Sequence, residues 1–188
     1  MTEQSASPQK IVIIGGVAGG MSAATRLRRI NEKAEIVVIE RGGAVSFANC
    51  GLPYHVGGVI ENRSSLVLQK PEQLKARFNI DVLLRTEATA INRDARSVSV
   101  TDLETGASSE ISYDALVLSP GSTPFRPPIP GVETAYVLWN LDDMDAVMDT
   151  ASRATSAVVV GGGFIGLELA ENLIHRGITT TLVEALPQ

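Results

Sequence analysis

One cysteine, Cys50, stands out among the residues of this sequence that could do chemistry, and being alone it cannot form a disulfide within the 188 residues. It lies in Asn49-Cys50-Gly51-Leu52-Pro53-Tyr54, where a glycine-rich loop over 41–58 is predicted to turn into a short helix. A lone cysteine in an intracellular protein is either a small buried apolar residue or a reactive thiol. At a helix N-terminus its thiolate, the form that attacks a disulfide, would be stabilised by backbone N–H groups. We therefore expect residues 41–58 to form an active-site loop.

A glycine cluster near the end of the sequence has the spacing of a dinucleotide-binding turn, G-x-G-x-x-G, between a predicted strand and a predicted helix. Gly161 would permit the tight turn, Gly163 the approach of a pyrophosphate, and Gly166 close packing of helix on strand. Glu184 ends the next strand and could accept hydrogen bonds from the adenosine ribose, which favours NADH because a 2′-phosphate would be repelled. The predicted nicotinamide-site residues are Gly161, Gly163, Phe164, Ile165, Gly166 and Glu184.

A second cluster, Gly15-Gly16-Val17-Ala18-Gly19-Gly20, has valine where the middle glycine would stand, but Glu40 keeps the acidic position at the end of the next strand. Two such turns in one chain predict two nucleotide cofactors, and the simplest pair is a flavin and a nicotinamide. The candidate residues of this turn are Gly15, Val17, Ala18, Gly19, Gly20 and Glu40.

Short β-branched runs alternate with helical stretches, which predicts a fold of the α/β class. The predicted strands cover 10–15, 35–40, 80–84, 88–92, 97–101, 111–118, 157–160 and 179–184, and the predicted helices cover 18–30, 71–78, 142–151 and 164–175. The strands from 80 to 118 are expected to form one sheet. We expect a Rossmann-like FAD-binding domain with three-layer ββα character, followed by the start of a second Rossmann-like NAD(P)-binding domain.

The expected organisation is linear along the chain. Residues 1–9 form a disordered leader, 10–125 the FAD-binding domain with the redox cysteine, 126–151 a linker and connecting helix, and 152–188 the first part of the NAD(P)H-binding domain. Two parallel strands cannot complete a doubly wound sheet, so we expect the sequence to be an N-terminal fragment with little turnover of its own.

Composition excludes several function classes. The net charge of −5 gives no basic footprint for nucleic acid, and no apolar run is long enough to span a bilayer. The N-terminus lacks the order of a secretory signal, so we expect a soluble, cytoplasmic protein. His55 and His175 show no metal-ligand spacing, and we expect no metal.

Beyond the two glycine turns, two further motifs carry a resemblance to a known family: Ser46-Phe47-Ala48-Asn49-Cys50, of the form Ser-Phe-x-x-Cys, and the stretch from Tyr113 to Ser122. From Lys10 to its last residue the sequence resembles the FAD-dependent pyridine nucleotide–disulfide oxidoreductases. Within them it is similar to the single-cysteine branch, the coenzyme A-disulfide reductases and NADH-dependent persulfide reductases. In this branch valine at position 17 is common.

The resemblance implies roles for particular residues. Cys50 would be the catalytic residue, and Arg41, Ser46, Ser119, Pro120 and Gly121 would join the first turn in binding FAD. Glu168 would lie near the nicotinamide and flavin rings, although an ordinary helix glutamate is equally consistent with its position. Contacts to coenzyme A would come from Ser22, Arg26, Arg29, Ser46 and Asn49. An exposed arginine pair on a surface helix is an alternative for Arg26 and Arg29, and Arg77 falls one position from a family basic contact.

The activity implied is transfer of electrons from NADH or NADPH through FAD to Cys50, which would reduce a small-molecule disulfide or persulfide of the coenzyme A type in a homodimer. One alternative is an NADH peroxidase or NADH oxidase, in which the cysteine cycles through a sulfenic acid. Those relatives carry a histidine where this sequence has Ala18, which favours the coenzyme A branch. An alternative of another class is an inactive FAD-binding fragment.

Overall fold

The computed structural model describes residues 8–187, so the first seven residues of the predicted leader lie outside the described part. The chain divides into two compact units, and each consists of two separate stretches of sequence. The first unit runs up to Phe47 and resumes over Val67–Gly121, and the second consists of Ala48–Leu66 and the chain from Ser122 onward. This differs from the predicted linear division, since the cysteine loop is grouped with the C-terminal segment.

The elements, in chain order, agree closely with the predicted ones. The strands are β1 (Lys10–Ile14), β2 (Glu35–Ile39), β3 (Ile80–Leu83), β4 (Thr86–Asn92), β5 (Ser97–Asp102), β6 (Ser108–Ser112), β7 (Ala115–Leu118), β8 (Ser156–Val160) and β9 (Thr179–Val183). The α-helices are α1 (Ala18–Ile30), α2 (Leu52–Val56), α3 (Pro71–Phe78), α4 (Leu141–Ala151) and α5 (Phe164–His175).

The first unit has three layers, as predicted. Its central sheet is parallel, in the order β3-β2-β1-β7. Alternate residues of β1 and β2 point to opposite faces because the side-chain period of a strand is two. On one face Ile13 packs in a core with α1 and α3, and on the other Val12 packs in a core with Val98 and Val100 of β5. Helices therefore cover one face and the antiparallel sheet β4-β5-β6 covers the other.

Two predictions about this unit were wrong. Residues 111–118 do not form one strand, because the chain changes sheets at Tyr113 and Asp114. The backbone N–H of Tyr113 donates to the Arg96 carbonyl (2.9 Å), whereas that of Asp114 donates to the Lys10 carbonyl (2.8 Å). The strand that follows, β7, thus pairs with β1. Similarly, β3 does not join the antiparallel sheet but pairs in parallel with β2.

The second unit contains the parallel pair β8-β9, helices α4 and α5, and the stretch Ala48–Leu66. This stretch, which carries Cys50 and α2, is called the cysteine segment below. Helix α4 begins one residue before the predicted start, because Asn140 and Asp143 cap it reciprocally. The Asn140 side chain accepts from the Asp143 N–H (2.8 Å), and the Asp143 carboxylate accepts from the Asn140 N–H (3.2 Å). Helix α2 packs against α4 and α5, which explains why Ala48–Leu66 belongs to this unit. Across residues 8–187, no helix combines the length and apolar character needed to cross a bilayer.

Candidate functional site

The first glycine turn is built so that two of its positions admit no side chain. Gly15 has φ of +99°, and a Cβ there would lie 1.9 Å from the carbonyl oxygen of Ser119. A Cβ on Gly20, in the first turn of α1, would lie 1.7 Å from the carbonyl oxygen of Gly15. Helix α1 therefore rests directly on the end of β1, with the loop after β7 at its side. This is the geometry that the sequence pattern predicts.

Three other predicted residues converge on this turn. The carboxylate of Glu40 accepts from the backbone N–H groups of Gly16 (2.7 Å) and Gly42 (2.6 Å). The N–H of Ser46 donates to the Gly16 carbonyl (3.0 Å), and the N–H of Ser119 donates to the Ile14 carbonyl (2.8 Å). The end of β2, the loop before the cysteine and the loop after β7 thus meet at the glycine turn.

The remaining predicted residues of the first unit lie on its surface. Ala18 and Gly19 are exposed at the start of α1, as are Pro120 and Gly121 after β7, and Val17 is half-buried. Arg41 is exposed and its guanidinium lies 3.6 Å from the Glu87 carboxylate. Three of the residues expected to contact coenzyme A are exposed on one face of α1, at positions i, i+4 and i+7: Ser22, Arg26 and Arg29. Arg77 is also exposed, with its guanidinium 5.1 Å from the centre of the Phe78 ring.

A third arginine of α1, Arg28, has a structural role that our interpretation of the sequence missed. It is buried, and its five N–H groups donate at 2.6–3.3 Å to the backbone carbonyls of Asn31, Glu32, Ala34, Phe78 and Asn79. The guanidinium thereby ties the loop that follows α1 to the C-terminal end of α3. The signal was present in the sequence, because Met21, Ala24 and Arg28 follow the helical period of the buried face.

The second glycine turn repeats the geometry of the first. Gly161 has φ of +106°, and a Cβ on Gly166 would lie 2.0 Å from the Gly161 carbonyl oxygen. The carboxylate of Glu184 accepts from the backbone N–H groups of Gly162 (2.5 Å), Ala185 (2.7 Å) and Leu186 (2.8 Å). Hydrogen bonds from Leu186, Gly162 and Ala185, in that order, hold the pKa of Glu184 below its ordinary value. Glu184 thus matches Glu40, with a carboxylate bonded to the second glycine of its turn.

The second turn has open space at the N-terminus of α5. A Cβ on Gly163, just before α5, would meet nothing within 4 Å, so the packing of the chain itself does not require glycine there. Phe164 is 89% exposed and Ile165 is 53% exposed at the same end of the helix. Among the described residues, none in the first turn of α1 or α5 is acidic. At the second turn, the open space beside Gly163 and the first turn of α5 without a carboxylate fit a pyrophosphate at the helix N-terminus.

Cys50 is exposed, which sets aside the alternative of a buried, inert cysteine. It lies in a 3₁₀ turn over Asn49–Gly51 that leads into the five-residue helix α2, and Asn49 is also exposed. Two contacts hold this turn. The N–H of Gly51 donates to the Ala48 carbonyl (2.9 Å), and Gly51 packs so closely on Leu66 that a Cβ at position 51 would lie 2.5 Å from Cδ2 of Leu66. The thiol is thus presented to solvent by a backbone that is itself held in place.

Contacts with α5 and with its C-cap residue, Arg176, hold the C-terminal end of α2, and these were not predicted. Gly57 lies against the side chain of Asn172, and Nη1 of Arg176 donates to the Val56 carbonyl (2.7 Å). Within the segment, Nδ1 of the buried His55 donates to the Ile60 carbonyl (2.6 Å). Glu168, on the same helix, is half-buried and its carbonyl accepts from Nδ2 of Asn172 (2.8 Å). Asn and Arg on a helix carry no sequence signal that distinguishes such contacts from exposed positions.

Comparison with known proteins agrees with this architecture. The family model described as pyridine nucleotide-disulphide oxidoreductase matches residues 9–188, and the chain belongs to this family. Coenzyme A disulfide reductase of Staphylococcus epidermidis is 39% identical over 176 residues, which cover 93% of this chain and 40% of the relative. NADH oxidase of Enterococcus faecalis is 37% identical over 179 residues, with 94% of this chain and 40% of the relative covered.

Solved structures show the same likeness. Reduced CoADR-RHD of Bacillus anthracis superposes with a TM-score of 0.91 at 46% identity, over 94% of this chain and 33% of that one. The NAD-dependent persulfide reductase of A. fulgidus gives a TM-score of 0.88 at 38% identity, over 92% of this chain and 33% of that one. The chain thus spans about two fifths of the curated relatives and one third of these structures.

Proposed function

We propose that the protein containing this chain is a flavoprotein that uses NADH or NADPH to reduce disulfides or persulfides of the coenzyme A type through Cys50. The observation that carries the proposal is the exposed thiol of Cys50, held in a fixed turn in a chain with two nucleotide-type glycine turns. The reductase names of the similar proteins from Staphylococcus epidermidis and A. fulgidus support the same chemistry.

The two glycine turns are assigned to the two cofactors. FAD would be held at Gly15–Gly20 with Glu40, Arg41, Ser46 and the loop Ser119–Gly121, and NAD(P)H at Gly161–Gly166 with Glu168 and Glu184. When bound, FAD supplies two-electron transfer between a nicotinamide and a sulfur centre. The carboxylates of Glu40 and Glu184 already orient the backbone of each turn, so each acid both shapes its turn and offers an acceptor to a ribose hydroxyl.

The contribution of the chain to the reaction is the nucleophile. The thiolate of Cys50 attacks one sulfur of a disulfide R–S–S–R, the S–S bond breaks, and R–S⁻ leaves and takes up a proton. The mixed disulfide of Cys50 then receives two electrons and a proton, delivered as the hydride equivalent of one NAD(P)H. Its S–S bond breaks to give R–SH and the Cys50 thiolate, so each disulfide consumes one NAD(P)H and one proton and yields two thiols. Ser22, Arg26, Arg29, Ser46 and Asn49 are the proposed contacts for the coenzyme A portion.

The experiment is an anaerobic NADH titration of the full-length protein followed by coenzyme A disulfide, with Cys50→Ser beside the native protein. We expect the native protein to take up electrons beyond those needed for the flavin, and only the native protein to reduce the disulfide. Ser64→Ala, an exposed serine of the same segment, is the matched control and should behave as the native protein. Equal turnover of both forms with oxygen or peroxide, and none with the disulfide, would contradict the proposal.

A second candidate, NADH oxidase or peroxidase activity through a cysteine sulfenic acid, is favoured by the similarity to the Enterococcus faecalis NADH oxidase. The same titration separates it, because it predicts Cys50-dependent turnover with oxygen or peroxide and none with coenzyme A disulfide. We further propose a cytoplasmic homodimer. Light scattering of the full-length protein at several concentrations tests the dimer, and a single monomer mass would refute it.

A further inference from the structure

The cysteine segment is held at the end of α2 farthest from Cys50. Its C-terminal residues meet the side chains of Asn172, in α5, and of Arg176, the C-cap residue that follows α5. The two residues stand about one helical turn apart. These contacts lie within the second unit, toward the end of α5 opposite its glycine turn.

Arg176 caps α2 by a direct hydrogen bond. Its Nη1 donates to the carbonyl of Val56, the last residue of α2, over 2.7 Å and also lies 3.5 Å from Sδ of Met148 on α4. The last carbonyls of a helix lack a partner within the helix, and a guanidinium donor satisfies one with a charge-assisted bond. The half-buried Arg176 therefore fixes the end of α2 relative to both longer helices.

Asn172 sets how closely α2 approaches α5. Its side chain is 3% exposed, and Nδ2 donates to the Glu168 carbonyl one turn earlier, which fixes the rotamer. A Cβ on Gly57 would lie 2.2 Å from Oδ1 and 2.8 Å from Cβ of Asn172. The backbone of Gly57 is thus in direct contact with the amide, and a rigid pair of this kind transmits any displacement because packed groups have no free volume.

We infer that Asn172 and Arg176 are positioning residues for Cys50, and that they act through α2 on the direction and accessibility of the thiol. Only Gly51 separates Cys50 from the first residue of α2, so a shift of the helix displaces the thiol directly. The inference deepens the proposed function, since it adds that the helix at the second nucleotide turn also holds the nucleophile. Misplacement of a reacting atom by about 1 Å costs about 100-fold in rate.

The test uses full-length Arg176→Met and Arg176→Lys, with Arg153→Met as the matched control because Arg153 is exposed and pairs only locally with Asp149. The first readout is the rate at which native Cys50 reacts with 4,4′-dithiodipyridine, followed beside the thermal midpoint. The second is the ratio of coenzyme A disulfide reduction to NADH-dependent ferricyanide reduction, which needs no thiol.

We expect Arg176→Met to change the Cys50 rate by about tenfold and to lower the disulfide-to-ferricyanide ratio by a similar factor. Arg176→Lys should restore part of both, because an ammonium can still donate to the Val56 carbonyl. Cys50 rates within about twofold of the native protein in both variants, or a parallel fall of the two activities with the thermal midpoint, would overturn the inference. If Arg176→Met does not fold, Arg176→Lys and Asn172→Ala give the same comparison.

The two proposals fail in different ways. If the native protein does not reduce coenzyme A disulfide but the rate of Cys50 with 4,4′-dithiodipyridine still depends on Arg176, the proposed function is refuted. The positioning role of Arg176 and Asn172 is then still supported. Native disulfide turnover with a probe rate independent of Arg176 and Asn172 refutes the positioning role alone.

Discussion

Replacing Gly163 with alanine separates the role of this residue in folding from a role in binding nucleotide. Gly163 precedes α5 with φ of −72° and ψ of 174°, an extended conformation that alanine adopts without strain. A Cβ there would meet no atom of the chain within 4 Å. Loss of glycine at the N-cap costs about 0.5–1 kcal/mol, and the reduced freedom of the unfolded chain returns about 0.4–1 kcal/mol. The free energy of unfolding should therefore change by less than about 0.5 kcal/mol.

Nucleotide affinity should respond differently. If the pyrophosphate approaches the backbone of Gly163, an added methyl group occupies the space it needs. We expect NADH to bind the full-length Gly163→Ala protein at least about tenfold more weakly, equivalent to about 1.4 kcal/mol. The FAD content should not change, because Gly163 belongs to the second turn and FAD is assigned to the first, Gly15–Gly20.

The assay pairs urea unfolding with calorimetric titration of NADH, and Gly166→Ala is the contrasting variant. A Cβ on Gly166 would lie 2.0 Å from the Gly161 carbonyl oxygen, so this change should cost at least about 1–3 kcal/mol of stability. NADH affinity of Gly163→Ala equal to that of the native protein would refute the assignment of this open space to the nucleotide. A Gly166→Ala protein as stable as the native one would refute the packing argument.

Three further changes test other contacts in the structure. Arg28→Met leaves five backbone carbonyls without their donor and should lower the free energy of unfolding by about 2–4 kcal/mol. The control is Arg29→Met, at an exposed position, which should change the free energy of unfolding by less than about 0.5 kcal/mol. Similar urea midpoints for the two variants would count against the structural role of Arg28. Gly57→Ala should cost about 1–3 kcal/mol by pushing α2 from α5, and a double-mutant cycle with Asn172→Ala should show that part of this cost depends on the amide; strict additivity would argue against the contact. Because the pKa of Glu184 is lowered in the folded protein, its carboxylate contributes stability above the ordinary pKa of 4.5, and this is lost as the pH falls through the lower folded value. Thermal midpoints of Glu184→Gln and native protein should thus differ at neutral pH and converge in acid, and a constant difference would contradict that sign.

The sequence predicted the parallel strands and the glycine turns because each has a local cause. A short run of β-branched residues indicates a central strand, because such a strand is buried on both faces of the sheet. The glycine spacing follows from the clashes that a Cβ at Gly20 or Gly166 would create. The sheet change at Tyr113 and Asp114 was missed because the residues on both sides are equally suited to a strand. The change is visible only in the tertiary pairing, in which the Tyr113 N–H donates to the Arg96 carbonyl and the next N–H, that of Asp114, donates to the Lys10 carbonyl.

The candidate site shows the same division between local and distant causes. Glu40 and Glu184 were found because their spacing from the glycines is fixed by one βαβ unit. Asn172 and Arg176 act on a segment more than a hundred residues earlier in the chain, as the Arg176–Val56 bond shows. No local pattern records a pairing of that kind, since it depends on which helices pack together.

The place where the cysteine segment leaves and rejoins the first unit has a practical consequence for dissecting the protein. Phe47 and Val67 face each other in an antiparallel β-bridge, flanked by bonds from Leu68 N–H to the Ser46 carbonyl (2.9 Å) and from Ala48 N–H to the Leu66 carbonyl (2.8 Å). The stem is already closed, so residues 48–66 form a cassette with adjoining ends. Because its ends adjoin, the cassette can be exchanged for the matching segment of another family member without a change in the length of the chain around it. Exchanging residues 48–66 between reductase and oxidase relatives at this stem would then show how much of the difference in their activities depends on the cysteine segment alone.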